Sequence, residues 1–121
     1  MTRFTLPLAF ALLAAPAFAE NMAVMEKDGV LTDANGMTLY TFDKDEGGMS
    51  ACYDACAENW PPLIAAADAM AEGEYGLTDR TDGTKQWTYD GMPLYLWVKD
   101  AKPGDMTGDG VNGVWHIAKA D

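Results

Sequence analysis

The sequence predicts a mainly β fold in which two tandem antiparallel meander repeats pack into one small domain, with a short helix around a pair of cysteines. Two observations carry this prediction. The stretch GMTLYTFDKD (36–45) returns 55 residues later as GMPLYLWVKD (91–100), with six of the ten positions identical. In both copies, short β-prone runs lie between Asp-Gly or Asn-Gly turn signals. A repeat of this length is usually one supersecondary unit, so we expect two copies of the same unit.

The repeats extend beyond the quoted stretches and fill most of the chain. The same spacing of 55 residues relates Trp60 to Trp115. We expect the first repeat at about 24–64 and the second at about 77–118, each on the order of 50 residues. Together they form a single domain, 20–121, that is large enough for one modest core.

Turn signals delimit the strands within each repeat. They are Asp28-Gly29, Asn35-Gly36, Asp82-Gly83 and Asp90-Gly91. The strands are expected at 30–33, 37–42, 84–89 and 92–98. Side chains alternate across a strand, so Leu94, Leu96 and Val98 should share one face. Tyr95 and Trp97 should share the other. Both faces are apolar, which predicts two meanders packed face to face so that each strand is covered on both sides.

A helical segment interrupts the first repeat. Ser50 is expected to cap a helix over 51–59, and Pro61-Pro62 should end it. The alanine-rich segment 63–76 is expected to form a further helical turn or a loose linker. The corresponding segment of the second repeat is rich in glycine, which favours a turn-rich loop.

Cys52 and Cys56 are the only cysteines, and an even count in an exported protein predicts a disulfide. In a regular helix their Cα atoms would lie about 6 Å apart, so the bridge requires a distorted helix or a tight loop. A redox-active pair and a thiolate metal site are the alternatives. Both are disfavoured, because the spacing is not C-x-x-C, no basic residue lies nearby, and His116 is the only histidine.

The N-terminal segment has the pattern of a cleaved signal peptide. Residues 1–19 contain one early positive charge at Arg3, then a short apolar run, then Ala17 and Ala19 in the A-x-A arrangement. Glu20 is the expected first mature residue, and no cysteine lies at the cleavage point. We therefore expect a soluble periplasmic or secreted protein that is neither lipidated nor inserted in a membrane.

The charge balance limits the classes of partner. The chain carries a formal net charge of −11, and loss of the predicted signal peptide removes one more positive charge. Such a protein should repel nucleic acids and anionic membrane surfaces and should favour cations or basic partners. The charge also suits a soluble monomer.

The repeated strands carry a family resemblance. LYTFDKD and LYLWVKD both match Tyr-x-[Phe/Trp/Tyr]-x-x-Asp, with the matching residues Tyr40, Phe42, Asp45, Tyr95, Trp97 and Asp100. Together with CYDACAENWPPL and PGDMTGDGVNGVWHIA, these motifs resemble the secreted-repeat family of predicted bacterial lipoproteins. The resemblance covers most of 24–118. It implies an exported bacterial envelope protein, and the family's function is uncharacterised.

No catalytic motif is present. The chain contains no G-x-S-x-G, no H-E-x-x-H and no Cys/His catalytic pattern, so we expect a protein that is not an enzyme. His116 lies in the expected last strand, where a structural hydrogen-bonding role is more common than a ligand role.

The glycine-rich loop of the second repeat is the candidate cation site. Asp100, Asp105 and Asp109 are separated by glycines, as in some calcium loops. The loop lacks the ligand order and the distal glutamate of an EF-hand. Aspartates and glycines that build tight turns are the alternative, so no cofactor is the main expectation and calcium the secondary one.

The aromatic residues have two interpretations. We expect Trp60 and Trp115 to be the paired core anchors of the two repeats; a surface platform of aromatic residues for a glycan or a peptide is the alternative. The methionines are expected to fill gaps in the small core. The sequence therefore predicts a non-catalytic envelope module that binds a protein or a glycan. A cation-binding protein is the second hypothesis and a redox protein using Cys52 and Cys56 is the third.

Overall fold

The computed structural model describes residues 23–120 and confirms a mainly β fold with antiparallel sheets and a short helix near the cysteines. The predicted signal peptide and Glu20 lie outside the described residues. The strands are β1 Met25–Lys27, β2 Val30–Thr32, β3 Tyr40–Phe42, β4 Ile64–Ala65, β5 Tyr75–Asp79, β6 Lys85–Tyr89, β7 Met92–Pro93 and β8 Trp115–Ile117. The helix α1 spans Ala55–Asn59, and a 3-10 turn spans Val111–Gly113.

Three antiparallel sheets form the body of the domain. β1 pairs with β2, β3 pairs with β8, and the largest sheet has the order β4-β6-β5, with β7 also on β6. Two of the hairpins turn at the predicted dipeptides. Asp28 and Gly29 have φ angles of 54° and 85°, and Asp90 and Gly91 have 51° and 82°. Positive φ at both central residues is the requirement of a type I′ turn, which explains the Asp-Gly pairs.

Each repeat donates its C-terminal segment to the other repeat. At the end of the second repeat, Ala118 accepts a hydrogen bond from Leu31 N and donates one to Leu39 O, both in the first repeat. At the end of the first repeat, Leu63 accepts one from Trp87 N and donates one to Leu94 O. The two arrangements correspond residue by residue, so the repeats are related by an approximate two-fold axis and neither is complete alone.

The axis passes between the two repeated tyrosines. Tyr40 N donates to Tyr95 O over 2.8 Å, and Tyr95 N donates to Tyr40 O over 2.9 Å. This is a reciprocal pair of the kind that antiparallel strands form. The stretch that the chain repeats therefore contacts its own copy.

Two apolar clusters lie on opposite sides of these strands, as the alternation predicts. Leu39 and Leu94 belong to a mainly aliphatic cluster, whereas Tyr40 and Tyr95 belong to an aromatic one. Burial of both clusters supplies the main favourable free energy of folding.

The predicted strand 92–98 is wrong in its second half. Only Met92–Pro93 is a strand, and the side chain of Val98 is exposed. The reason lies in the segment opposite. Leu96 N donates to Pro61 O over 2.7 Å. Pro61 and Pro62 have no N–H, so neither can donate a ladder hydrogen bond back to the segment around Leu96. The equivalent segment of the second repeat has no proline, and there β3 and β8 form a regular ladder.

The helix also begins later than predicted. Ser50 does not cap it, because its Oγ accepts a hydrogen bond from Cys52 N and contacts Tyr95 Oη. Asp54, with φ of 57°, breaks the chain direction just before α1. Cys52 thus lies outside the helix, which brings its Cα to 5.2 Å from that of Cys56 and allows the disulfide that joins them.

Two further expectations from the sequence are wrong. Segment 63–76 contains no helix: it forms β4, then turns, and then enters β5 at Tyr75, a strand that the sequence analysis did not identify. The methionines do not fill the core, since none of those in residues 23–120 is buried. Rings and aliphatic side chains fill that space instead.

Candidate functional site

Four aromatic rings form one continuous stack at the centre of the aromatic cluster. Trp60 and Trp115 lie face to face on the two-fold axis, with ring centroids 3.8 Å apart and planes 3° from parallel. Phe42 stacks on Trp115 at 4.1 Å, and Trp97 stacks on Trp60 at 3.9 Å. Both inner rings are buried and both outer rings are partly exposed. The cross-repeat pairing creates this order, because each tryptophan sits on the segment that its repeat donates to the other.

The two tyrosines of the repeated motif close the sides of the stack. Tyr40 meets Trp60 edge-on at 5.4 Å, and Tyr95 meets Trp115 edge-on at 5.1 Å. Edge-to-face contact places the positive rim of one ring against the negative face of the other. Both tyrosines are fully buried, so their hydroxyl groups need partners within the protein.

Each tyrosine finds its partner in the other repeat. Tyr40 Oη donates to Asp100 over 2.6 Å, and Tyr95 Oη donates to Asp45 over 2.7 Å. The same carboxylates also accept backbone N–H groups of their own loops. Asp100 accepts from Thr107 N, and Asp45 accepts from Ala51 N. The Tyr-x-[Phe/Trp/Tyr]-x-x-Asp residues therefore form two crossed pairs that join the repeats and fix the following loops.

Burial and hydrogen bonding shift the ionisation of these groups in a consistent direction. Burial, followed by the hydrogen bond to Asp100, raises the pKa of Tyr40 well above its ordinary value. Burial raises the pKa of Tyr95, and the hydrogen bond to Asp45 adds to the increase. Burial also raises the pKa of the Asp45 carboxyl, against the opposing effect of its hydrogen bonds. Both phenols keep their protons across the physiological range.

The two crossed pairs differ in their surroundings. Beside Tyr95, the buried guanidinium of Arg80 donates to Ser50 Oγ, Gln86 Oε1 and Cys52 O, over 3.1, 2.8 and 2.9 Å. Its Cζ lies 4.3 Å from the centre of the Tyr53 ring. Beside Tyr40 the space is closed by Gly108, whose N–H donates to Tyr40 Oη over 3.1 Å. A Cβ on Gly108 would come within 2.8 Å of Trp60, so only glycine fits against the stack.

A shallow hollow of about 500 Å³ opens beside the stack. Its apolar wall contains Phe42, Trp60 and Trp115, and its rim carries the amides of Asn59 and Asn112. The remaining lining residues are Lys44, Ala55, Cys56 and Val114. Among the described residues that line it there is no carboxylate, although the chain as a whole is strongly acidic.

The three candidate cation ligands all accept hydrogen bonds from protein donors. Asp100 accepts hydrogen bonds from Tyr40 and Thr107, and Asp105 accepts from Ala101 N and Lys102. Asp109 accepts from Ile117 N. Within residues 23–120 no group of three or more His, Cys, Asp or Glu side chains is placed to hold a metal ion. His116 Nε2 lies 2.8 Å from an Asp43 carboxylate oxygen on the surface.

Sequence reasoning missed the residues that the crossed topology brings to the site. Arg80, Ser50 and Gly108 have no counterpart in the repeated motif, so the duplication gave no signal for them. The Asn59 and Asn112 amides also went unnoticed. The departure of the loop 100–110 from the helical pattern of the first repeat was the available clue to Gly108.

Both repeats match a known protein family. A family model described as a secreted repeat of unknown function matches residues 22–64 and 76–119. No curated protein and no solved structure matches the chain. No helix among residues 23–120 is long and apolar enough to cross a membrane. Two matches in tandem cover most of the chain, and they coincide with the two halves that exchange their C-terminal segments; the protein belongs to the family of secreted repeats of unknown function.

Proposed function

We propose that this exported protein is a non-catalytic binding module of the bacterial envelope, and that its ligand is a glycan held in the hollow beside the ring stack. The observation that carries the proposal is the lining of that hollow. An aromatic wall lies next to two amide side chains, Asn59 and Asn112, in a recess of about 500 Å³. An apolar wall with a few polar groups beside it is the lining that small-ligand sites usually have, and an open hollow leaves room for an extended chain.

The lining suits a sugar ring. The C–H face of a sugar packs on aromatic surface, here chiefly on Phe42, which is partly exposed. Trp60 and Trp115 are almost fully buried; Trp115 stacks on Phe42 and holds it in position, and Trp60 backs Trp115. Amide groups both donate and accept hydrogen bonds, and so do the hydroxyl groups of a sugar.

The same lining disfavours a basic protein as the occupant. A basic partner should bind where carboxylates gather, and the described residues that line the hollow include Lys44 but no Asp or Glu. Lys44 also makes the recess compatible with glycans that carry a carboxylate, since a lysine ammonium attracts an anionic group. The acidic surface elsewhere serves solubility.

The experiment is a binding titration with purified bacterial peptidoglycan and a panel of soluble oligosaccharides, followed by tryptophan fluorescence and calorimetry. We expect binding by the wild-type chain, with a change in emission because Trp60 and Trp115 line the hollow. Asn59→Ala and Asn112→Gly should each weaken binding about two- to tenfold, the value of one hydrogen bond. Glycine is chosen at Asn112 because the residue has φ of 54°.

Asn35→Ala is the matched control, because Asn35 is exposed in a turn away from the hollow. It should bind like the wild type, and thermal melts should show that all variants fold. Binding to basic proteins with none to any saccharide would overturn the glycan proposal. Saccharide binding that both hollow variants retain in full would overturn the assignment of the site.

A further inference from the structure

The methionines occupy the surface rather than the core. Of the six methionines within residues 23–120, five are exposed: Met25 (48%), Met49 (63%), Met70 (79%), Met92 (46%) and Met106 (44%). Methionine is ordinarily among the residues most often buried. The only other exposed large apolar residues in the same part of the chain are Ile64 and Val98. Most of the large apolar side chains on the surface are therefore methionines.

The other side chains that oxidants attack are largely protected. Cys52 and Cys56 are already joined as a disulfide. Of the four tryptophans, Trp60, Trp87 and Trp115 are buried, and Trp97 is partly buried. Within residues 23–120 the exposed methionines are therefore the first sulfur groups that a dissolved oxidant meets.

The positions of these methionines make their oxidation harmless to the fold. None of the five belongs to either apolar cluster of the core or to the residues packed against them. They lie in the short strands β1 and β7 and in loops. Conversion of a thioether to a polar sulfoxide disrupts a protein when the side chain is buried, and here it adds a polar group to a surface already in water.

From this distribution we propose that the exposed methionines are an oxidant sink, which consumes two-electron oxidants such as hypochlorous acid in the cell envelope. With hypochlorous acid, the sulfur lone pair attacks chlorine, the O–Cl bond breaks and hydroxide leaves. Water then attacks the chlorosulfonium sulfur, the S–Cl bond breaks, chloride leaves, and two protons are released, one of which neutralises the hydroxide. Sulfur is oxidised by two electrons and the oxidant is reduced by two. Methionine sulfoxide reductases regenerate the thioether, which makes the sink reusable.

The test uses the folded wild-type chain and increasing amounts of hypochlorous acid, with peptide mass spectrometry after quenching. Within residues 23–120 we expect uptake of five oxygen atoms, at Met25, Met49, Met70, Met92 and Met106, before Met37 or any tryptophan reacts. Near-ultraviolet circular dichroism and the thermal midpoint should stay close to those of the untreated protein. A sulfoxide reductase should then return the mass to its starting value.

A variant with leucine at all five positions should fold and should lose the uptake of those five oxygen atoms. It should also cease to protect a second, oxidant-sensitive protein in the same solution, whereas Met37→Leu should protect as well as the wild type. Early oxidation of Trp60 or Trp115, or unfolding as the first methionines react, would overturn the proposal. So would equal protection by the five-leucine variant.

Discussion

Removal of the Tyr40 hydroxyl by Tyr40→Phe tests whether the crossed pairs hold the two repeats together. The hydroxyl donates to Asp100 over 2.6 Å and accepts from Gly108 N over 3.1 Å. All three residues are buried. Phenylalanine keeps the ring and its edge-on contact with Trp60, so the change removes hydrogen bonds and leaves the packing in place.

The expected cost is about 2–4 kcal/mol of the free energy of unfolding. A hydrogen bond to a charged group contributes about 1.5–3 kcal/mol. The Gly108 N–H then lacks its acceptor as well, which costs on the order of 1 kcal/mol more. Tyr95→Phe should cost less, about 1–2 kcal/mol, because Asp45 is only partly buried and water can replace the lost donor.

Urea denaturation, followed by circular dichroism, measures these differences through the midpoint at constant m-value. Tyr53→Phe is the matched control. Its hydroxyl accepts one long, exposed hydrogen bond of 3.4 Å from Thr81 N, so the variant should stay within about 0.5 kcal/mol of the wild type. If Tyr40→Phe lowers the free energy of unfolding no more than Tyr53→Phe does, the Tyr40–Asp100 pair does not stabilise the contact between the repeats.

Three further predictions concern the same region. Gly108→Ala should lose about 1–3 kcal/mol, because a Cβ would come within 2.8 Å of Trp60; a neutral effect in a urea titration would show that the stack yields easily. Replacing Cys52 and Cys56 together by alanine should cost about 2 kcal/mol, the entropy of a very small loop, while far-ultraviolet circular dichroism stays native; complete unfolding would contradict this. The free energy of unfolding of Asp45→Asn, relative to that of the wild type, should increase from acid to neutral pH. Urea titrations at each pH measure this difference. Burial raises the pKa of this carboxyl above 3.8 in the folded state, so its contribution is present below that pH and disappears as the pH rises through the folded-state pKa. A constant difference between variant and wild type at all pH values would refute the burial argument.

The turns and the alternation of buried side chains could be predicted because their signals are local in the sequence. The Asp28-Gly29 and Asp90-Gly91 turns could be read from the sequence because few residue pairs accept two positive φ angles in succession. The alternation around Tyr95 likewise predicted that Leu94 and Tyr95 face opposite sides, and they do lie in different apolar clusters, although the strand itself ends at Pro93. Such signals are contained within a few consecutive residues, so they do not depend on the long-range contacts of the chain.

The exchange between the repeats could not be predicted in the same way. Pairing of Ala118 with Leu31 joins residues from opposite ends of the domain, and no local pattern specifies such a register. The aspartates show the consequence. Asp45 and Asp100 each follow a repeated strand, which suits them to accept N–H groups of their own loops, but their contact with the tyrosine of the other repeat depends on the long-range arrangement. The helix start was missed for a related reason, since Ser50 is recruited by Tyr95 and Arg80 rather than by the helix.

The donated C-terminal segments impose an order on folding. The N–H of Leu31 and the carbonyl of Leu39 find their hydrogen-bond partner in Ala118, at the end of the second repeat. During synthesis or export the N-terminal half must therefore wait, with its apolar faces uncovered, until the last strand has emerged. Contacts between residues so far apart in the sequence close large loops, so we expect this domain to fold more slowly than one of the same size built from local contacts.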